Sequence, residues 1–207
     1  HEIVPQFAGR HGGAVFLALR RRRAQVRKGH GILHRQYFLC GKIRFSKIQK
    51  FTAEQSNAVR IIFQTVGATT DALGRLNVGD SIQDFVGPLG KPTELEGLHR
   101  VCVVGGGVGC AIALPIAEEL HRRGCEVHAI IGFRSRDLLI LEDEFRACSD
   151  RLAVMTDDGS AGRQGVVTLP LKEQIEAGEQ YDEVIAIGPL VMMKFVVATT
   201  RPFGVPT

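Results

Sequence analysis

Residues 101–109 spell Val101-Cys102-Val103-Val104-Gly105-Gly106-Gly107-Val108-Gly109, an apolar run that passes directly into a glycine-rich turn. A fully apolar run is typical of a parallel β-strand that is covered on both faces. Glycines before the next helix let a phosphate group approach backbone N–H groups at the positive end of the helix dipole. The segment therefore predicts a nucleotide-phosphate site, although a tight strand–helix turn also needs glycines and the spacing is shorter than G-x-G-x-x-G.

The residues after this turn alternate between strand and helix patterns. The patterns predict strands at 100–104, 126–131, 152–156 and 183–187, and helical segments at 110–123, 135–148 and 171–177. Such alternation is typical of a doubly wound α/β sheet, in which ligands bind at the carboxyl ends of the strands. We therefore expect a Rossmann-like nucleotide-binding domain over residues 98–207.

The chain before this domain is predicted to form a separate unit over residues 1–97. Its more regular part has a strand pattern at 59–66, helical turns at 68–76 and a short strand at 81–86. The Gly- and Pro-rich stretch 87–92 then ends the unit.

Composition places the chain among globular proteins without a membrane span. Its 207 residues are 44% hydrophobic, which suffices for one large or two small cores. No membrane-spanning run and no signal peptide are evident, so a cytoplasmic location is expected. The five cysteines form no CxxC pair, so neither a disulfide framework nor a metal site is predicted. Cys110 begins a predicted helix, which would lower the pKa of its thiol, or it is a small packing residue.

The charge is unevenly distributed. Residues 1–50 contain twelve Lys or Arg and one acid, whereas residues 51–207 contain fourteen Lys or Arg and twenty-one acids. A basic arm can bind nucleic acid or an anionic surface, and a solvated segment is the simpler interpretation. Nucleic-acid binding is therefore the least favoured function.

The end of the second predicted strand carries Arg134, Ser135 and Arg136. An acid at this place usually binds the ribose of NAD, whereas guanidinium groups and a hydroxyl suit the 2′-phosphate of NADPH. Alternatively, the two arginines pair with Asp137, Glu142 or Glu144.

The ends of the third and fourth predicted strands carry two more groups of interest. Asp157-Asp158-Gly159-Ser160 forms a loop that could close over a cofactor, and magnesium is disfavoured because no third carboxylate lies nearby in sequence. Gly188-Pro189 and Met192-Met193 would lie beside a flat nicotinamide or flavin ring, or the methionines belong to the core.

These four motifs, in this order, resemble the ferredoxin–NADP⁺ reductase superfamily. The similar branch contains the electron-transfer (FAD/iron–sulfur) subunit of dihydroorotate dehydrogenase and the small subunit of ferredoxin-dependent NADP reductase or sulfide dehydrogenase. The resemblance covers about residues 59–207. It implies an N-terminal antiparallel β-barrel that holds FAD, followed by the doubly wound parallel-sheet domain that holds NAD(P)H.

The resemblance also implies a function and site residues. Electrons would pass between NAD(P)H, FAD and an iron–sulfur partner, which is a larger catalytic subunit or ferredoxin, in a hetero-oligomer. Gly67, Thr69 and Thr70 would approach the FAD pyrophosphate, and Arg44-Phe45-Ser46 partly matches the flavin-stacking motif. The four strand-end motifs would bind the dinucleotide.

Two regions depart from the family pattern. Residues 8–50 lack the alternating strands of a barrel, so we expect an incomplete or irregular barrel, and a shifted reading frame or chimeric fragment is one explanation. The family's [2Fe–2S] cysteine cluster follows the equivalent of residues 201–207, and no cysteine here has that spacing. We therefore expect a truncated member without this cluster, or else a non-catalytic nucleotide-binding fragment or regulatory subunit.

Overall fold

The computed structural model describes residues 58–82 and 92–207, together with the backbone of five strand segments nearer the N-terminus. The side chains are described from residue 60 onward within these ranges. The chain divides into two compact units, His1–Pro92 and Thr93–Thr207. The boundary that we predict after residue 97 lies a few residues further along.

The described part of the first unit contains antiparallel strands and a short helix. The elements are β1 (Glu2–Ile3), β2 (Gly9–His11), β3 (Ala14–Arg20), β4 (Leu39–Cys40), β5 (Ile43–Arg44), β6 (Ala58–Gln64) and α1 (Ala68–Gly74). Strand β3 pairs with β1, β2 and β6, and β4 pairs with β5.

Strand β3 lies where the sequence pattern predicts no regular strands. It pairs with β6 along its whole length, from Ala14 opposite Gln64 to Arg20 opposite Ala58. The run Ala14–Leu19 is apolar without alternation, so a period-of-two search misses it. A closed barrel stays a prediction, and most of the strand expected at 81–86 lies outside the described residues.

The second unit is an α/β sandwich around a parallel sheet, which confirms the predicted class. Its strands are β7 (Arg100–Gly106), β8 (Glu126–Phe133), β9 (Arg151–Thr156), β10 (Arg163–Gln164) and β11 (Glu183–Ile187), and its helices are α2 (Cys110–Arg122), α3 (Glu142–Ala147), α4 (Thr168–Glu176) and α5 (Leu190–Thr200). The five strands are parallel in the order β10-β9-β8-β7-β11.

Strand β7 lies inside the sheet because its sequence is apolar on both faces. Val101–Val104 are completely buried, and α2 packs against β7 with a run of buried residues from Cys110 to Ala117. All four cysteines with described side chains are buried: Cys102, Cys110, Cys125 and Cys148. Apolar burial of this kind is the main favourable term in folding.

The sequence predicts a helix over residues 135–148, but the middle of this segment is not helical. A 3₁₀ turn at Arg136–Leu138 is followed by Leu141, whose φ of 64° is left-handed, and only then by α3. Ile140 and Leu141 are both buried. Burial of these two apolar side chains therefore outweighs the cost of a left-handed leucine, which helical periodicity does not reveal.

His128 is a buried polar residue at the end of the sheet opposite to the strand carboxyl ends. Its Nδ1 atom lies 2.7 Å from the Tyr181 hydroxyl, and its Nε2 atom lies 3.0 Å from a Glu126 carboxylate oxygen. Burial raises the pKa of the Tyr181 hydroxyl. Both ring nitrogens have partners, so His128 is a structural residue of the core.

Glu119, near the end of α2, forms a cluster with two arginines. Its carboxylate accepts hydrogen bonds from Arg122 Nε (2.8 Å) and Nη2 (2.6 Å) and from Arg123 Nε (2.9 Å). The Arg122 hydrogen bond is the main cause that lowers the pKa of Glu119 to about 2. A lowered carboxyl pKa stabilises the fold above the unfolded-state value of about 4.3, and this stability is lost as the pH falls toward 2.

We expect Glu119→Gln to lower the free energy of unfolding by about 2 kcal/mol at pH 7, because the neutral amide loses the attraction of both arginines. The deficit should shrink as the pH falls from about 5 toward 3. Urea denaturation over this range checks it. Glu176→Gln is the control, since Glu176 forms an exposed pair with Lys172 at 3.6 Å. An equal deficit at every pH would contradict the assignment.

Among the residues described above, no helix is long and apolar enough to cross a membrane.

Candidate functional site

The candidate site lies at the carboxyl ends of β7 and β11. Strand β8, which follows β7 in the chain, pairs with one edge of β7. Strand β11 pairs with the other edge of β7. This reversal of strand order is the topological switch point at which doubly wound sheets bind ligands. The loop after β7 contains the 3₁₀ turn Gly107–Gly109, and the loop after β11 contains Gly188-Pro189.

Three glycines, two at the end of β7 and one in the loop after it, have little space for a side chain. A Cβ atom on Gly105 would lie 2.8 Å from Cys110 Sγ, and one on Gly106 would lie 2.4 Å from Met192 Sδ. A Cβ atom on Gly109 would lie 2.5 Å from the Ile187 carbonyl oxygen. The close strand–helix turn therefore requires glycine at 109, where the obstacle is backbone, whereas at 105 and 106 the nearest atoms are side-chain sulfurs.

Gly107 differs from these three glycines. Its φ of +53° is left-handed, and a Cβ atom built on it would have no heavy atom within 4 Å. Val108 beside it is partly exposed. The backbone at Gly107 therefore faces open space, into which a ligand could come close.

Helix α2 begins directly behind this open backbone. The residue before it, Gly109, supplies no side-chain cap, and the Cys110 N–H donates to carbonyl oxygens of the preceding 3₁₀ turn. The N–H groups at the start of a helix and the helix dipole favour an anion. The glycine loop thus offers phosphate-binding groups at Gly107 and at the start of α2.

The thiol of Cys110 does not behave as the helix position alone predicts. It is completely buried, and burial raises its pKa despite backbone hydrogen bonds that act in the opposite direction. The expectation of a lowered pKa is therefore wrong because desolvation outweighs the dipole. The alternative, a small packing residue, fits the contact with Gly105.

The end of β8 brings Arg134, Ser135 and Arg136 next to the turn after β9. The Arg136 backbone N–H donates to Ser160 Oγ (2.7 Å), and Arg136 Nε donates to the Ser160 carbonyl oxygen (3.1 Å). Arg134 is exposed. Neither arginine forms an ion pair within the described part of the chain, so pairing with residues 137–144 is not observed there.

The turn Asp157-Asp158-Gly159-Ser160 is closed by its own hydrogen bonds. Asp158 Oδ1 accepts from both the backbone N–H (2.9 Å) and the hydroxyl (2.6 Å) of Ser160, and these bonds lower the pKa of the Asp158 carboxyl. Gly159 has a φ of +74°, which the tight turn requires. In the described ranges, no three His, Cys, Asp or Glu side chains are grouped closely enough to hold a metal ion.

The two methionines predicted to lie near the cofactor, in the segment after β11, have different surroundings. Met192 packs against Gly106 and Gly188, in the crevice between the two loops, and also against the core. Met193 instead lines a groove on α5 with Lys194 and Val197. The structure therefore brings Gly188, Pro189 and Met192 to the switch point, whereas Met193 faces the groove.

In the first unit, the structure distinguishes among the residues predicted near FAD. Thr70 is buried, and its hydroxyl accepts the Val66 N–H (2.6 Å) and donates to the Gly67 carbonyl oxygen (3.1 Å). Gly67, with a φ of +86°, and Thr69 are exposed. The Arg44 side chain, Phe45 and Ser46 lie outside the described residues.

Sequence reasoning missed the contact between Arg136 and Ser160. It arises because β8 and β9 are parallel neighbours in a register that places Phe133 opposite Thr156. The sequence motifs mark each strand end separately and contain no signal for this register. The contact becomes predictable only if adjacent strand order and register are known.

Comparison with known proteins finds relatives over most of the chain. No family model matches the sequence. The dihydroorotate dehydrogenase B (NAD(+)) electron transfer subunit homolog of Thermotoga maritima is 44% identical over 155 residues, which are 75% of this chain and 54% of the relative. The corresponding electron transfer subunit of Fusobacterium nucleatum is 33% identical over 83% of this chain and 64% of its own.

A solved structure extends the similarity to the fold. The structure of an NADH-dependent reduced ferredoxin–NADP oxidoreductase matches 99% of this chain and 73% of its own chain, with 34% identity and a TM-score of 0.75. The chain spans between about half and two thirds of the length of the two curated relatives.

Proposed function

Because the chain belongs to the ferredoxin–NADP reductase superfamily, we propose that it is a flavin-dependent electron-transfer subunit of an oxidoreductase. It passes electrons between NAD(P)H, FAD and an iron–sulfur partner. The partner is a larger catalytic subunit or ferredoxin, and the assembly is a cytoplasmic hetero-oligomer. The cysteines of this sequence lack the spacing of [2Fe–2S] ligands, so the proposal assigns no such centre to these residues.

The observation that carries the proposal is the open backbone at Gly107 in front of the start of α2. The N–H groups there donate to the pyrophosphate of the dinucleotide. Pro189 and Met192 provide an apolar wall at the same switch point, which suits a flat ring. In the first unit we assign Gly67, Thr69 and Thr70 to the FAD pyrophosphate, and of these Gly67 and Thr69 are exposed.

The chemistry in this proposal belongs to the cofactors, and the protein provides alignment. FAD, when bound, accepts a hydride from NAD(P)H and supplies electrons one at a time. The residues of this chain bind the phosphates, orient the nicotinamide end against the apolar wall and hold the adenosine end at Arg134–Arg136. No acid–base side chain is assigned.

The test is an absorbance measurement on the purified protein. After addition of FAD and removal of free flavin by desalting, we expect a retained flavin spectrum that bleaches when NADH or NADPH is added without oxygen. Free FAD passed through the same column is the control. Colourless protein that still binds NADH in calorimetry would replace the proposal with the alternative, a nucleotide-binding fragment or regulatory subunit without turnover.

A further inference from the structure

The loops after β8 and β9 are joined by a set of hydrogen bonds that we call the clasp, formed by Arg134, Arg136, Asp158 and Ser160. The Asp158 N–H donates to the Arg134 carbonyl oxygen (3.3 Å). The Arg136 N–H donates to Ser160 Oγ (2.7 Å). The backbone of the tripeptide 134–136 is therefore held at both of its ends by the turn after β9.

The turn that holds the tripeptide is itself braced. The Asp158 carboxylate accepts two hydrogen bonds from Ser160, one from the backbone N–H and one from the hydroxyl. The Ser160 hydroxyl thus donates to Asp158 and accepts from Arg136, which uses both of its hydrogen-bonding functions. Removal of Ser160 Oγ would therefore break both its hydrogen bond to Asp158 and the hydrogen bond that it accepts from the Arg136 N–H.

The side chains of the two arginines in the clasp differ in their hydrogen bonds. Arg136 Nε is bound to the Ser160 carbonyl oxygen (3.1 Å), so this side chain serves partly to tie the loops. Arg134 is exposed, and no side-chain hydrogen bond or ion pair of it occurs within the described ranges. Arg134 therefore has its whole guanidinium available for a ligand anion, whereas Arg136 has one of its nitrogens engaged.

We propose that Ser160, braced by Asp158, is a positioning residue for recognition of the nucleotide's 2′-phosphate by Arg134. The inference rests on the proposed dinucleotide function and adds to it a residue that need not touch the phosphate. A guanidinium on a fixed backbone loses less conformational freedom when it binds, so clasped loops increase affinity for the anion. The gain applies to a ligand with a 2′-phosphate and not to one without it.

The experiment compares two small ligands by calorimetry, adenosine 2′,5′-bisphosphate and 5′-AMP, so that flavin content does not affect the readout. Wild-type protein should bind the bisphosphate more tightly. Ser160→Ala should reduce this preference by about tenfold, the equivalent of about 1.4 kcal/mol, with little change for 5′-AMP. Ser160→Thr, which keeps the hydroxyl, should restore the preference.

Thr199→Ala is the matched control, because it removes a hydroxyl that donates to the Phe195 carbonyl oxygen within α5, away from the clasp. It should leave both affinities unchanged. Equal weakening of both ligands by Ser160→Ala, or no weakening, would overturn the positioning role. Equal affinity of the wild-type protein for the two ligands would also overturn the positioning role, but it would leave the proposed nucleotide site intact. Binding of neither ligand would instead count against the proposed function itself.

Discussion

Gly109→Ala is expected to lower the free energy of unfolding by about 3 kcal/mol and to weaken NADH binding by about 100-fold. The added Cβ atom would lie 2.5 Å from the Ile187 carbonyl oxygen and 2.9 Å from Gly188 Cα. Both are backbone atoms, so neither can rotate away, and the start of α2 must move from the end of β11. A shift of about 1 Å in phosphate-binding groups is enough for a loss of this size.

Urea denaturation and calorimetry with NADH measure the two effects of Gly109→Ala. Gly178→Ala is the control, since Gly178 has a φ of +98° and open space around it at the end of α4. Its left-handed backbone alone should cost about 1 kcal/mol and leave nucleotide binding intact. Wild-type affinity in Gly109→Ala would show that the close approach of the two loops is unnecessary for binding.

Arg134→Glu is expected to weaken NADPH binding by about 100-fold and NADH binding by less than about threefold. The exposed guanidinium is replaced by a carboxylate, which both removes a charge-assisted hydrogen bond and repels a 2′-phosphate. NADH lacks the 2′-phosphate, so its interactions with Arg134 are weak and the substitution removes little binding energy. Calorimetry or fluorescence titration with each dinucleotide gives the two constants.

Lys172→Glu makes the same change in net charge at an exposed position of α4 and is the matched control for Arg134→Glu. It should alter neither affinity by more than about twofold, because solvent and salt screen distant surface charges. Equal losses of NADH and NADPH binding in Arg134→Glu would assign Arg134 a structural role in the loop.

The sequence predicts the second unit well where local pattern and packing agree. Strand β11 is observed at the predicted residues, and α2 begins at the predicted Cys110. Prediction fails where burial acts against local pattern. Leu141 interrupts the helix predicted at 135–148, and β3 has an apolar run without the expected alternation.

The glycines of residues 105–109 mark the candidate site in the sequence, but their spacing does not predict the role of each glycine. Gly109 is opposed by the backbone of Ile187, Gly105 and Gly106 lie close to the side chains of Cys110 and Met192, and Gly107 faces open space. These contacts depend on how α2 and α5 approach the sheet, which no short motif encodes.

The four buried cysteines have a kinetic consequence. Cys102 and Cys110 are fully covered, Cys125 and Cys148 nearly so, and burial raises the pKa of the Cys102 and Cys110 thiols. An alkylating reagent reaches them only when the surrounding structure opens. Their modification in the native protein is therefore governed by the opening equilibrium of the sheet and its helices, which makes these thiols internal reporters of local unfolding.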